Sequence, residues 1–328
     1  MHVPFLRKPT AVRRRAATRG APALALASVA LSALGCAVPQ PAGEGRLSRV
    51  IETSTRRGYW LYLPKDCVGA EGGDSSRSTK VRPLVVTFHG MKPFDCAHAQ
   101  AREWEAEADR YGFIVVAPEL QAMDVLGQFP VRSVDRALKS DEEATLAILE
   151  HVFATTPADR HNVLSTSWSS GGYVAHYMLN RHPDRFTCLA VRQSNFSGSI
   201  LDSERTPQSL DHPILIVSTE YDFPICKRES NEAVEWYRQH TYRALSWLRL
   251  KALGHARTPE VAADFFACLA GVAPSRPSEV PARQPVLDGE IGGSHFSTAS
   301  SRRPGSAGYG FDGMIWLSRN DGAGERRW

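Results

Sequence analysis

The sequence predicts an α/β fold, in which a mostly parallel central sheet of about eight strands carries helices on both faces. Short apolar runs such as residues 113–117 are continuous and not alternating, which is typical of parallel strands buried on both faces. Segments of helical periodicity separate these runs, as strand–helix–strand connections require. Residues 47–272 contain all of these segments and are long enough to bury the core of one domain.

The apolar runs predict strands near residues 47–54, 58–63, 82–88, 113–117, 162–167, 187–192, 213–218 and 246–251. Helices are predicted near 99–111, 141–154, 171–181, 228–240 and 259–270. Ser140 is the expected N-cap of the helix at 141–154, because the acidic residues that follow it complement the helix dipole. The first two strands are expected to pair antiparallel at the start of the sheet.

The most informative motif is Ser167-Trp168-Ser169-Ser170-Gly171, which stands between an apolar strand and a helix. This is the layout of a nucleophile elbow, a tight strand-to-helix turn that exposes one serine hydroxyl. Such a turn needs small residues two positions before and after the nucleophile, and Ser167 and Gly171 meet this need for Ser169. Choosing Ser170 instead would put Trp168 at a position that requires a small residue. Ser169 is therefore the predicted nucleophile, although Ser167 stands where glycine is usual and a plain Ser/Gly-rich loop is the alternative.

A serine nucleophile needs a histidine as its base and a carboxylate that orients the histidine. In elbow-bearing folds these residues follow in the order serine, acid, histidine, each in a loop after a strand. Asp222 and His255 satisfy this order and are the predicted acid and base. Glu220 is a rival acid, and the rival histidines lie in or beside predicted helices or before a strand: His176, His182, His212 and His240.

Acyl transfer also needs N–H donors for the oxyanion that forms on the attacked carbonyl. The strand at 82–88 runs into His89-Gly90-Met91, and the loop after such a strand supplies one donor. We assign the two donors to the backbone N–H groups of Met91 and Ser170. His89 is interpreted as a brace for this loop and not as a base.

Several aromatic residues lie near the expected site. Trp168, Phe196 and Phe223, together with Phe129, are candidates for an apolar or aromatic substrate pocket. For any single one of them, ordinary packing of loops onto the sheet is the favoured explanation.

Together these motifs resemble the α/β-hydrolase esterases of the polyhydroxybutyrate depolymerase and feruloyl esterase type, especially their exported bacterial members. The likeness spans about residues 47–272 and is carried by HG at 89–90, GFIVVAPE at 112–119, SWSSGGY at 167–173, RHPDRF at 181–186, STEYD at 218–222 and GH at 254–255. It implies the α/β-hydrolase fold and a carboxylic-ester hydrolase with a serine nucleophile, without a metal or other cofactor. It also implies a small-molecule or oligomeric substrate of the acetyl, feruloyl or hydroxyalkanoate ester type. The alternatives are a serine peptidase on the same fold and an inactive binding lipoprotein.

Residues 1–36 are predicted to be an export signal, because a basic segment precedes a short apolar run and small residues. Ala33-Leu34-Gly35-Cys36 resembles a bacterial lipobox, in which Cys36 becomes the lipidated first residue of the mature chain. An ordinary cleavage near the same place is the alternative. We expect an exported protein, either anchored by lipid in the periplasm or at the cell surface, or secreted, with residues 37–46 as a short linker.

The formal net charge of +4 comes from 39 basic and 35 acidic residues, and six of the basic residues lie before position 36. Residues 36–328 therefore hold 33 basic and 35 acidic residues, and no basic stripe points to a nucleic-acid partner. Residues 273–328 are rich in Gly, Ser, Arg and Pro, which predicts a flexible low-complexity tail outside the fold.

The cysteines allow more than one interpretation. An exported protein permits disulfides, and Cys67–Cys96 and Cys226–Cys268 are conceivable pairs. Cys188 lies in an apolar strand, where a free buried thiol is expected. No Cys/His set has the spacing of a zinc site.

Overall fold

A computed structural model describes residues 43–67, 80–122, 133–274, 286–291 and 294–297. The export signal with Cys36 and the candidate pocket residue Phe129 lie outside the described residues. Among the helices in the described ranges, none combines the length and the apolar content that crossing a bilayer requires.

The sheet begins with eight strands in the predicted arrangement. Strands β1 to β8 are Arg46–Ile51, Gly58–Leu63, Arg82–Phe88, Ile114–Pro118, Ala158–Trp168, Cys188–Arg192, Ile214–Thr219 and Leu245–Leu250. Their order is β1-β2-β4-β3-β5-β6-β7-β8, with β2 antiparallel to both of its neighbours and every later pair parallel. The prediction of a mostly parallel sheet with an antiparallel pair at its start is confirmed.

Helices cover both faces of this sheet. Helices α1 to α7 are Ala97–Glu103, Glu105–Tyr111, Arg136–Thr155, Gly172–Arg181, Gly198–Glu204, Pro224–Gln239 and Pro259–Leu269. Successive side chains of a strand point to opposite faces. Leu84 and Val86 of β3 accordingly pack with residues of α3 to α6, whereas Val85 packs with residues of α2 and α7. The carboxyl ends of the parallel strands are thereby held at one edge, where the loops that carry the site emerge.

Helix α3 begins earlier than the sequence predicts. Asp135 is its N-cap and accepts a hydrogen bond from the N–H of Leu138 over 2.8 Å, so the assignment of Ser140 as N-cap is wrong. Asp141 and Glu142, two of the acidic residues that suggested the later start, have tertiary partners instead. Asp141 is buried, pairs with Arg57 and accepts the backbone N–H groups that follow β4. Local charge patterning therefore reflected a long-range contact and not a helix terminus.

Other elements also differ from the expected ones. The helix predicted near 99–111 is divided into α1 and α2 at Trp104, whose side chain is fully buried between them. Helix α5 occupies residues 198–204, in a stretch for which the sequence showed no clear pattern.

Part of the C-terminal tail joins the sheet. Strands β9 and β10 are Val286–Ile291 and Ser294–Ser297, and β9 pairs antiparallel with β8. The prediction of a tail outside the fold is wrong for these residues. The edge of β8 offers unpaired N–H and C=O groups, and a strand that supplies their partners removes an exposed edge.

The cysteines in the described ranges are free thiols, so the structure forms neither of the conceivable pairs: Cys67, Cys96, Cys188, Cys226 and Cys268.

Candidate active site

Ser169 lies in a sharp turn between β5 and α4. Strand β5 ends at Trp168, a single 3₁₀ turn spans Ser169–Gly171, and α4 follows directly. The φ angle of Ser169 is 58°, in the left-handed region that residues other than glycine rarely adopt. Ser169 is partly exposed, whereas Ser170 is 2% exposed and its hydroxyl is buried. The backbone strain and the exposure both mark Ser169, and not Ser170, as the presented serine.

The positions that flank this turn have the small residues that the turn requires. A Cβ atom on Gly171 would lie 2.2 Å from the carbonyl oxygen of Phe88, so no side chain fits there. On the other side, the hydroxyl of Ser167 lies 2.9 Å from that of Ser194, which itself donates to the carbonyl of Arg192 over 3.1 Å. Serine in place of the usual glycine is therefore accommodated, because Ser194 provides its hydrogen-bond partner.

Asp222 and His255 meet after the neighbouring strands β7 and β8. Nδ1 of His255 lies 2.6 Å from Oδ1 of Asp222, and the N–H of Phe223 donates to the same oxygen over 2.7 Å. A carboxylate only accepts, so Nδ1 carries the hydrogen and Nε2 is the nitrogen that remains to take a proton. The side chain of Asp222 is fully buried and that of His255 is 9% exposed. This is the geometry of an oriented general base.

Aromatic contacts bring the histidine loop, residues 251–258 between β8 and α7, against the elbow at Ser169. The imidazole of His255 lies between the rings of Trp168 and Phe223, with centroid distances of 4.5 and 4.7 Å. The indole N–H of Trp168 also donates to the carbonyl of Ala256 over 3.2 Å. Because Trp168 directly precedes Ser169, these contacts gather the serine, the histidine and the aspartate at one edge of the sheet.

The rival residues have other partners. Glu220 accepts the N–H of Ala252 over 2.9 Å in the turn after β8, so the structure places Asp222 and not Glu220 against His255. Nδ1 of His176 is hydrogen-bonded to the hydroxyl of Tyr237 inside the core. The remaining rival histidines lie outside this edge: His182 contacts Glu142 on α3, His240 ends α6, and His212 precedes β7.

His89 braces the loop after β3. The N–H of Leu120 donates to its Nε2 over 3.0 Å, so Nδ1 carries the hydrogen and donates to the carbonyl of Gly90 over 2.7 Å. Burial lowers the pKa of His89, which keeps this tautomer uncharged. A trans peptide directs its C=O and N–H to opposite sides, so the bond to Gly90 turns the N–H of Met91 away from His89.

The same loop runs beside Ser169. A Cβ atom on Gly90 would lie 3.1 Å from the Cβ atom of Ser169. The N–H of Gly90 is occupied, since it donates to Oδ2 of Asp95 over 2.6 Å. Of the backbone N–H groups at Gly90 and Met91, the Met91 group is therefore the one that remains as a donor for the site.

The aromatic pocket candidates separate into two groups. Trp168 and Phe223 flank His255 at the edge of the sheet. Phe196 is 2% exposed and packs against His176 and Trp236 in the core, so its assignment to the pocket is wrong. The sequence does not predict this burial, because His176 and Trp236 come from distant parts of the chain.

Two supports of the site are not predictable from the sequence. Glu229 on α6 accepts from the side-chain amide of Asn195 over 2.9 Å, and the N–H of Asn195 donates to the carbonyl of Ser169 over 3.1 Å. Arg257 pairs with Asp95 over 2.7 Å and links the histidine loop to the loop after β3. No sequence pattern predicts either contact, because the two partners of each contact lie far apart along the chain.

One cluster in the described part of the chain has the composition of a metal site. The potential ligand atoms of Asp222, Cys226 and His255 all lie within 4.8 Å of one another. Burial, with the charges of Asp222 and Glu229, raises the pKa of the Cys226 thiol, which disfavours the thiolate that would bind a metal. Two of the three groups are already paired with each other, since Asp222 accepts from His255.

No protein-family model matches the chain, and no curated protein sequence matches it. Solved structures do. A fluorophosphonate-binding serine hydrolase from Staphylococcus aureus has a TM-score of 0.51 at 12% identity, over 69% of this chain and 98% of that one. An S-formylglutathione hydrolase from Staphylococcus aureus gives 0.50 at 11% identity, over 67% and 99%. A CE1 ferulic acid esterase from Anaeromyces mucronatus gives 0.48 at 16% identity, over 70% and 90%.

The first two similarities show a shared fold. Together with the strand order and the elbow at the end of β5, they show that the chain has the α/β-hydrolase fold.

Proposed function

We propose that the chain is an exported serine carboxylic-ester hydrolase that acts through Ser169, Asp222 and His255. The observation that carries the proposal is the 2.6 Å contact between Asp222 and Nδ1 of His255, in a loop packed on the residue before a strained serine. A fold alone does not define a function, so the proposal depends on this site.

The proposed reaction is acyl transfer in two steps. Ser169 attacks the carbonyl carbon of the ester while Nε2 of His255 takes the hydroxyl proton, and the alcohol then leaves with that proton. A water molecule, deprotonated by His255, attacks the acyl-enzyme and releases the acid and the serine. Throughout, Asp222 orients the ring and stabilises its charged form. The backbone N–H groups of Met91 and Ser170 receive the negative charge on the carbonyl oxygen.

The proposed substrate is a small-molecule or oligomeric ester of the acetyl, feruloyl or hydroxyalkanoate type. Phe223, which is partly exposed, places aromatic surface next to the base, and Tyr221, in the same loop after β7, is 68% exposed. Exposed aromatic side chains near a reactive centre favour an apolar or aromatic group on the substrate. Hydrolysis of p-nitrophenyl acetate, methyl ferulate and 3-hydroxybutyrate esters ranks these classes.

The proposed location is outside the cytoplasm, with a lipid on Cys36 as the membrane anchor. The basic and apolar segments of residues 1–36 support this part of the proposal. Membrane fractionation and mass spectrometry of the wild type and Cys36→Ala test it. We expect the lipid and the membrane association to disappear together in Cys36→Ala. Wild-type protein that stays unprocessed in the cytoplasm would contradict the proposal.

The activity is tested by labelling the full chain with a fluorophosphonate probe, beside Ser169→Ala, Ser170→Ala and His255→Ala. We expect labelling of the wild type and of Ser170→Ala, and its loss in the other two variants. Folded wild type that resists the probe would leave only a binding role for the fold. A panel of peptides serves as the counter-test, since cleavage of peptides without cleavage of esters would favour a peptidase.

A further inference from the structure

Arg257 lies two residues after His255, in the loop between β8 and α7, and its guanidinium is almost enclosed. Its side chain is 18% exposed and pairs with Oδ1 of Asp95 over 2.7 Å and with Glu103 on α1. Burial by itself would lower the pKa of Arg257, but the carboxylates of Glu103 and Asp95 outweigh it and raise that pKa. Arg257 therefore carries a fixed positive charge. It links the loop after β8 to Asp95 and Glu103, which are distant from it in sequence.

Asp95 connects this cation to the oxyanion loop, which is the loop of residues 89–95 after β3 that contains the proposed donor Met91. Its Oδ1 accepts from Arg257, while its Oδ2 accepts the N–H of Gly90 over 2.6 Å and the amide of Gln100 over 2.9 Å. One carboxylate thus holds both the loop of the base and the residue before Met91. A shift of Asp95 would change the direction of the peptide whose N–H is proposed to receive the oxyanion.

Arg257 also contacts the residue before the nucleophile. Its guanidinium carbon lies 4.2 Å from the ring centroid of Trp168, a cation–π distance. The indole N–H of Trp168 donates to the neighbouring carbonyl of Ala256. The same loop therefore holds the indole through the ring face and through the ring nitrogen.

From these contacts we propose that Arg257 is a positioning residue, which sets the base, the elbow and the oxyanion loop at their working separation by acting through Asp95 and Trp168. This inference rests on the proposed function for its kinetic consequence, but the contacts themselves are testable without activity. A misplacement of about 1 Å at a reacting centre costs on the order of 100-fold in rate. A loss of this kind falls on kcat and not on KM, because substrate contacts are unchanged.

The test compares Arg257→Met, Asp95→Ala and the double variant with the wild type on p-nitrophenyl acetate. Arg110→Met is the matched control, since Arg110 is also a largely buried arginine that pairs with a residue of α7, Asp264, over 3.0 Å. We expect kcat to fall about 30- to 100-fold in Arg257→Met with KM within about threefold, and the double variant to lose no more than the worse single variant. Arg257→Lys keeps the positive charge but not the planar guanidinium, so it should recover part of the lost kcat. It replaces Arg257→Met if that variant does not fold.

Hydrogen–deuterium exchange of residues 89–95 gives the second measurement. We expect faster exchange in Arg257→Met and Asp95→Ala, and wild-type exchange in Arg110→Met. Equal kcat losses in Arg257→Met and Arg110→Met, or losses that multiply in the double variant, would overturn the proposal. If the wild type has no esterase activity, only the proposed function is overturned. Hydrogen–deuterium exchange at residues 89–95 then still decides whether Arg257 holds this loop.

Discussion

Oδ1 of Asp222 accepts the 2.6 Å hydrogen bond from Nδ1 of His255 at the carboxyl ends of two neighbouring parallel strands. Residues after such strands meet at one edge of the sheet, although 33 positions separate these two along the chain. The pairing places the hydrogen on Nδ1 and leaves Nε2 as the nitrogen that can take a proton.

Asp222→Asn should lower kcat on p-nitrophenyl acetate by about 10³- to 10⁴-fold. The amide would stabilise the wrong tautomer of His255 and leave the cation that forms during attack without its counter-charge. Glu220→Gln is the control, because Glu220 accepts a backbone N–H in the turn after β8 and does not contact His255. Similar losses in both variants would show that the aspartate has no special role.

Ser169→Gly should be more stable than Ser169→Ala by about 1 kcal/mol, and both variants should be inactive. Alanine keeps the Cβ atom that makes a φ of 58° unfavourable, whereas glycine adopts this angle without strain. Urea unfolding at neutral pH measures the difference. Equal free energies of unfolding would mean that the turn relaxes when the hydroxyl is removed.

The folded protein should lose stability as the pH falls below about 6.5, and His176 should contribute to this loss. Burial lowers the pKa of His176 to about 3, while a histidine in the unfolded chain has a pKa near 6.5. Between these values the unfolded state binds the extra proton, so stability is present above the window and decreases as pH falls through it.

His176→Asn separates this contribution from all others. The difference in the free energy of unfolding between pH 7.5 and pH 5.5 should be about 1.4 kcal/mol smaller in the variant than in the wild type. His161→Gln, at an exposed position, should retain the wild-type difference. An unchanged pH dependence in His176→Asn would show that the buried ring accepts a proton more easily than its environment indicates.

A chain that ends at Pro274 should unfold at a lower temperature and associate with itself. Removing β9 exposes the edge of β8, whose paired groups include those of Leu248 and Arg249. Thermal unfolding and size-exclusion chromatography of the full and shortened chains measure the two effects. A shortened chain that stays monomeric with an unchanged Tm would mean that β9 does not protect this edge.

Much of the fold was predictable because its signals are local. Strands β3, β4 and β7 are short, mostly apolar runs, and a strand buried on both faces is recognisable from such a run alone. The starts of helices were harder to predict, because Asp141 has the composition of a first-turn acid but is used by Arg57 and the chain after β4. Strand β9 was not predicted because the Gly- and Pro-rich sequence around it is typical of a linker. Its hydrogen-bond partners lie on the edge of β8, which is distant in sequence.

The sequence by itself determined the chemistry of the candidate site: a serine in a tight strand-to-helix turn, followed in order by an acid and a histidine after later strands. Those features depend on residue type and on neighbours along the chain. Only the tertiary structure decided that Asp222 and not Glu220 contacts His255, that Phe196 belongs to the core, and that Arg257 and Asp95 join two loops of the site. Such choices depend on distances between segments that meet only when the sheet is assembled, and no local pattern encodes them.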